Sequence, residues 1–140
     1  MSDIAARTIL AVDPGERRFG VAIADLETRF ARPLEVVDVR KTDPVTRVVE
    51  LARVHGSERV VVGKPVGLSG REGPAVESYR GFVERLRDAG VEVAEHDERL
   101  TTVIAEQGLR AGGAAPKARK EIRDAVAAQV LLQSYLDGEG

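Results

Sequence analysis

The run Thr8-Ile9-Leu10-Ala11-Val12-Asp13-Pro14-Gly15 constrains this chain more than any other stretch. Ile9 to Val12 are all apolar, and Ile9 and Val12 are β-branched, the pattern of a short buried strand. Asp13 stands where that run stops. An ionised carboxylate at the end of a core strand is costly unless something cationic meets it, and a divalent metal is the usual reason. Pro14-Gly15 are turn residues, and Arg18-Phe19-Gly20-Val21-Ala22-Ile23-Ala24-Asp25 reads as a second strand folding straight back. On these residues alone Asp13 is either the start of a hairpin turn or a metal ligand, and both readings stand.

The elements that follow predict an α/β fold. Pro33 to Val39 offers Leu34, Val36, Val37 and Val39 as a third strand at a sheet edge. Asp43-Pro44 is a helix start, with an N-cap and a proline in the first turn. Val45, Val48, Val49 and Ala52 form its apolar stripe, and Gly56-Ser57 ends it. Arg59-Val60-Val61-Val62-Gly63 is a continuous β-branched run, as in a strand covered on both faces. Gly63 to Gly73 is a glycine-rich loop, and Pro74 restarts a helix that Asp88-Ala89-Gly90 terminates. Val91 to Glu95 alternates as a fifth strand. Thr101-Thr102 caps a helix through Leu109, and a last helix runs from about Lys117–Lys120 to Leu136 before a frayed tail. The order β-β-β-α-β-α-β-α-α implies a five-stranded mixed sheet. Its first three strands form an antiparallel meander, and helices cover both faces.

At 140 residues the chain is expected to be a single domain spanning residues 1–140, with neither internal repeats nor a dividing linker. No apolar run approaches the roughly 20 residues of a membrane span. Met1-Ser2-Asp3-Ile4 lacks the basic and apolar regions of a signal peptide, and the chain contains no cysteine. Disulfides and thiolate metal sites are thereby excluded, and a cytoplasmic location is expected. The net charge of −2 does not advertise a nucleic-acid-binding domain. Local charge differs, because Arg110, Lys117, Arg119, Lys120 and Arg123 face only Glu121 among acids in that segment. Such a run is either a solvated face or a phosphate contact.

Acidic residues occur where a sheet protein could bring them together. Asp13 ends the first strand, Asp97 and Glu98 follow the last one, and Asp124 lies on the final helix. At about 100° per residue, Ala128, Leu131 and Tyr135 fall within about 40° of Asp124, so it heads an apolar stripe and should face the sheet. Its partner there is either a metal or a base such as Arg99, or it serves the helix dipole. Converging carboxylates without cysteine or a histidine cluster suit Mg²⁺ or Mn²⁺ and not zinc. Two such ions about 3.5–4 Å apart support phosphodiester cleavage. Of the two histidines, His55 closes a helix as a dipole partner, and His96 abuts the acidic pair as a possible proton shuttle.

These residues also carry a resemblance. Val12-Asp13-Pro14-Gly15-Glu16-Arg17-Arg18-Phe19-Gly20-Val21-Ala22-Ile23-Ala24-Asp25 resembles the opening signature of the YqgF/RuvX family. Val62-Gly63-Lys64-Pro65 with Ser69-Gly70-Arg71-Glu72-Gly73, then Asp97-Glu98-Arg99-Leu100-Thr101-Thr102, then Asp124 to Leu132 resemble its other blocks in order. The resemblance implies an RNase H-like nuclease related to Holliday-junction resolvases, with a role ascribed to maturing the 5′ end of pre-16S rRNA. Together with the meander and the two crossovers, it implies the strand order 3-2-1-4-5. It assigns Asp13, Glu98 and Asp124 as catalytic and metal-binding, with Asp97 an additional candidate ligand. Related resolvases place an acid after the central strand, where this chain has Gly63-Lys64-Pro65. That departure moves the second acid to the next strand.

The expected function is therefore a metal-dependent endonuclease acting on precursor rRNA. The alternatives are a junction resolvase acting on branched DNA and a non-catalytic nucleic-acid-binding module in ribosome assembly or transcription. Sugar kinases and actin-like ATPases share the first signature but need two such domains facing a cleft. A monomer would serve the RNA reading, whereas symmetric junction cutting needs two sites in a homodimer. Candidate phosphate contacts are Arg17, Arg18, Lys64, Arg71, Lys117, Arg119 and Lys120, all at ends or loops that could ring Asp13.

Overall fold

In a computed structural model of the chain, the described residues are 7–64, 74–97 and 116–139, excepting the side chains of 74–76, 116–123 and 139. They form the strands β1 (Thr8–Asp13), β2 (Arg18–Asp25), β3 (Ala31–Asp38), β4 (Ser57–Lys64) and β5 (Val93–Asp97), and the helices α1 (Pro44–His55), α2 (Pro74–Asp88) and α3 (Pro116–Glu139). The sheet order is β3-β2-β1-β4-β5, the order expected. β1 pairs antiparallel with β2, and β2 with β3, whereas β4 runs parallel to both β1 and β5. The expected helix after Thr101-Thr102 and most of the glycine loop after Lys64 lie outside the described residues.

The two sheet faces are built differently. Leu10, Val12, Phe19, Val21, Ile23, Val60 and Val62 pack with Val48 and Leu51 of α1 and Phe82 and Leu86 of α2. Phe19 and Phe82 meet edge-on, with ring centroids 5.0 Å apart. The opposite face is lined by smaller groups, Ala11, Ala22 and Ala24 with Ile9 and Val61, against Ala128, Leu131, Leu132 and Leu136 of α3. Small side chains on that face let the backbone of α3 lie close to the strands. This close layer positions the site described below.

Element ends follow from local hydrogen bonding. Asp43 caps α1 by accepting the Thr46 N–H at 3.0 Å, and Gly56 closes the helix at φ 63°, a left-handed conformation that glycine adopts without penalty. β5 begins at Val93, two residues later than the sequence alternation suggests. The reason is that the N–H of Val91 is committed to the Leu86 carbonyl at 3.1 Å, closing α2. In exchange the strand continues through Asp97. β3 begins early, at Ala31, because α3 clamps that residue. Its N–H donates to Gln133 Oε1 at 2.9 Å and its carbonyl accepts from Gln129 Nε2 at 3.2 Å. Among the described residues no helix is long and apolar enough to cross a membrane.

Candidate nuclease site

Asp13 takes its direction from strand alternation. Ile9 and Ala11 pack toward α3, so Asp13, in the same phase, lies on that face as well. Its cross-strand partner on β2 is Gly20, and paired residues share a face. Over Gly20 comes α3. A Cβ added to Gly20 would stand 1.9 Å from the carbonyl oxygen of Asp124 and 2.7 Å from its carbonyl carbon. The missing side chain thus lets the helix backbone rest on β2 beside Asp13, and it fixes which helical turn arrives there. The turn that arrives carries Asp124.

The carboxylate of Asp124 is half-buried and accepts from Arg18 Nε at 2.8 Å. The two side chains are 27% and 25% exposed. Ala128 and Leu131, one and two turns on, are fully buried against the sheet. The helical stripe therefore faces inward as the sequence spacing predicts, and its first member meets a base. That base is Arg18, which the sequence reasoning placed among the phosphate contacts.

β5 sends its side chains to alternate sides. Glu95 accepts from the Tyr79 hydroxyl of α2. His96 places Nε2 3.1 Å from Ser134 Oγ on α3 and stacks edge-on against Tyr135. Ser134 lies ten residues after Asp124, about 15 Å along the helix, so the His96 ring is occupied by the far half of α3. The same alternation puts Asp97 with Glu95 on the α2 face, and Asp97 is the partner of Lys64 in the β4–β5 register. Lys64 shares the phase of Val60 and Val62. It therefore stands at the same end of the sheet as Asp13 but on the other face.

Among the described residues no three His, Cys, Asp or Glu side chains lie close enough together to hold a metal ion. Asp97 does not join Asp13 and Asp124 in such a group. Glu98 and Arg71 lie outside the described residues. Lys117, Arg119 and Lys120 fall in the first turns of α3, ahead of Asp124, with their side chains outside the described set. Arg17 is exposed in the β1–β2 turn.

Two cations went unnoticed in the sequence. Arg40 and Lys41 follow β3, and antiparallel pairing returns them to the hairpin turn, where the Val39 N–H donates to the Arg17 carbonyl at 2.9 Å. The signal that could have found them was the meander itself, which brings the end of β3 back beside the start of β2.

Chemically, the corner offers hard oxygen donors on rigid backbone, a base held against one of them, and exposed cations nearby. Such donors match Mg²⁺ or Mn²⁺.

Comparison with known proteins gives a consistent result. Residues 7–138 match the profile of the RuvX family, described as Holliday junction resolvase. A protein of Chloroflexus aggregans named "Putative pre-16S rRNA nuclease" is 43% identical over 133 residues, covering 94% of each chain. Among solved structures, Thermus thermophilus RuvC in complex with a Holliday junction substrate superposes with a TM-score of 0.55 at 18% identity, covering 95% of both chains. Fowlpox virus resolvase with its junction DNA superposes with a TM-score of 0.60 at 14% identity, covering 94% of this chain and 98% of that one. At these identities the structural likeness is one of fold.

Proposed function

The chain belongs to the RuvX family, and from that premise we propose that it is a metal-dependent endonuclease that cleaves precursor rRNA, with Asp13, Glu98 and Asp124 as its carboxylates. The observation that carries the reading is the seating of the Asp124 backbone on Gly20, the cross-strand neighbour of Asp13. Two acids far apart in sequence thereby share one corner of the sheet, on the same face. The half-buried Asp124 carboxylate already meets one cation, Arg18, and the oxygen donors of Asp13 and Asp124 are of the hard type that suits Mg²⁺ or Mn²⁺. Bound there, one or two such ions would supply a water of lowered pKa and charge stabilisation at the leaving oxygen.

The chain's own residues supply the rest. Asp13 is fixed by β1, the central antiparallel partner of β2. Asp124 is fixed by α3 and oriented by Arg18 Nε. Rigid backbone matters because a carboxylate displaced by even 1 Å loses much of its catalytic value. Arg17 and the basic first turns of α3 flank the corner and would hold phosphates beside the scissile one. A cytoplasmic location accords with the substrate.

The substrate assignment rests on relatives named for pre-16S rRNA, among them the Chloroflexus protein. A second reading, junction resolution by a homodimer, is favoured by the solved resolvases that share the fold. Purified protein with Mg²⁺ or Mn²⁺ should cut a precursor-rRNA fragment in preference to a four-way DNA junction. Preferential, symmetric cutting of the junction would instead establish the second reading. Cleavage of neither, under both metals, would leave only a binding module.

A further inference from the structure

The end of β3 holds a feature the catalytic corner does not use. Arg18 pairs with Asp38 across β2–β3, so Asp38 lies on the same face as Arg18, Gly20 and Asp13. Around its carboxylate stand three exposed cations. Arg40 Nε is 3.7 Å away with its side chain 64% exposed, and Lys41 and Arg17 are exposed as well. The Asp38 carboxyl is held below its usual range first by the Arg40 backbone N–H, then by the charges of Arg40, Lys41 and Arg17. Backbone bonds lock the arrangement, because Lys41 N–H and Thr42 N–H both donate to the Asp38 carbonyl at 3.0 Å.

Three positive charges against one negative leave a net charge of about +2 on a ledge whose chain is acidic overall. Like charges held together in water repel modestly, and a polyanion relieves them. β3 lies two strands from β1, about 10 Å at the usual spacing, which an unstacked backbone strand crosses in roughly one or two nucleotides. We propose that Arg40 and Lys41 extend the cation at Arg17 into a phosphate-binding ledge, which grips the nucleic-acid backbone roughly one or two nucleotides from the bond aligned at Asp13. The proposal rests on the nuclease reading, and it adds Arg40 and Lys41 to the substrate path. The ledge carries no base-reading side chain, so its grip is independent of sequence.

The test uses the full chain in an Asp13→Asn background, so that bound substrate is not cut. Binding of a labelled single-stranded RNA and of a four-way DNA junction is measured by anisotropy across a salt series. Truncating Arg40 and Lys41 together to alanine should weaken both by about tenfold. It should also flatten the log–log salt slope, by roughly 1.4 units for single-stranded RNA, two contacts at about 0.7 each. The circular dichroism spectrum should be unchanged, since both side chains are exposed and the backbone bonds to Asp38 remain. Asp38→Asn should do the reverse and tighten binding, because it removes the one negative charge while keeping an acceptor for the Arg40 N–H. Unchanged affinity and slope in Arg40→Ala/Lys41→Ala, with the parent still binding, would overturn the ledge alone. A parent that binds neither probe overturns the nuclease reading, and the ledge falls with it.

Discussion

The carbonyl oxygen of Asp124 occupies the space that a side chain at Gly20 would need, 1.9 Å from the position of its Cβ. One residue without a side chain thus joins a strand of the meander to the last helix, and it does so beside Asp13. Gly20→Ala should therefore be among the most damaging small substitutions in the chain. The obstructing atoms are backbone and cannot rotate away, so α3 must lift from β2. Overpacking of this kind costs about 3 kcal/mol, roughly a 10 °C fall in Tm at this chain length. Cleavage should fall further than stability predicts, because lifting α3 separates Asp124 from Asp13. Thermal melts and single-turnover rates on the same preparation check both; an unchanged Tm would show that the helix does not rest on Gly20.

The Arg18–Asp124 pair at 2.8 Å joins the same two elements through side chains. Both groups are about one-quarter exposed, so solvent screens them, and the coupling energy should be no more than about 1 kcal/mol. A double-mutant cycle with Arg18→Gln and Asp124→Asn, read by urea melts in buffer without divalent ions, should return a small stabilising term that shrinks as salt is added. A coupling near zero would assign Arg18 to the solvent.

Asp43, at the start of α1, offers a check that does not involve the acids of the site. It caps α1 through the Thr46 N–H at 3.0 Å and Thr46 Oγ1 at 2.8 Å, and it meets Arg85 at 3.0 Å. Its carboxyl is held below the usual 3.8, chiefly by the Thr46 hydroxyl and N–H. A depressed carboxyl stabilises the fold above its unfolded pKa, and that contribution is lost as pH falls through the folded value. Asp43→Ala should cost about 1 kcal/mol at pH 7 as a lost N-cap. As pH falls below the ordinary value of 3.8 and through the lower folded one, the difference from wild type should narrow. A gap that stays constant down to pH 2 would mean that the charge contributes nothing.

The meander and the mixed character of the sheet could be read from the chain because each signal was local, whereas the full strand order rested also on the family resemblance. A meander needs only Pro14-Gly15 and alternation, and a parallel neighbour needs only the apolar run Val60-Val61-Val62 with helices around it. Asp124 was legible for the same reason, since helical spacing fixes its face without any knowledge of what lies opposite. What the residues did not reveal was who meets whom. Arg18 looked like a surface cation in a turn, and only the packing of α3 on Gly20 brings it to Asp124. Lys64 and Asp97 stand at strand ends that the fold could gather around Asp13, yet strand alternation puts them on the other face. The late start of β5 depended on a hydrogen bond from Val91 to Leu86, which periodicity cannot show. Sequence patterns carry faces and ends; pairings between distant elements come from tertiary packing.

The acid at the end of β1 gives the most direct prediction about chemistry. Asp13→Asn keeps the volume and removes the charge, so β1, with Leu10 and Val12 fully buried, should stay in place. In buffer without divalent ions its Tm should stay close to that of wild type, because the substitution keeps the side-chain volume and leaves the buried part of β1 untouched. Addition of Mg²⁺ or Mn²⁺ should then separate the two proteins. Ion binding to the native state alone stabilises by RT ln(1 + [L]/Kd), about 2.7 kcal/mol at one hundred times Kd, so wild type should rise by roughly 8–10 °C under such conditions. Asp13→Asn should barely move, and cleavage should be lost at every metal concentration. The thermal measurement needs no substrate, and it therefore tests the metal site even if the natural nucleic acid is misassigned. An equal metal-induced rise in both proteins would remove Asp13 from the ligand set and return it to the role of a hairpin residue.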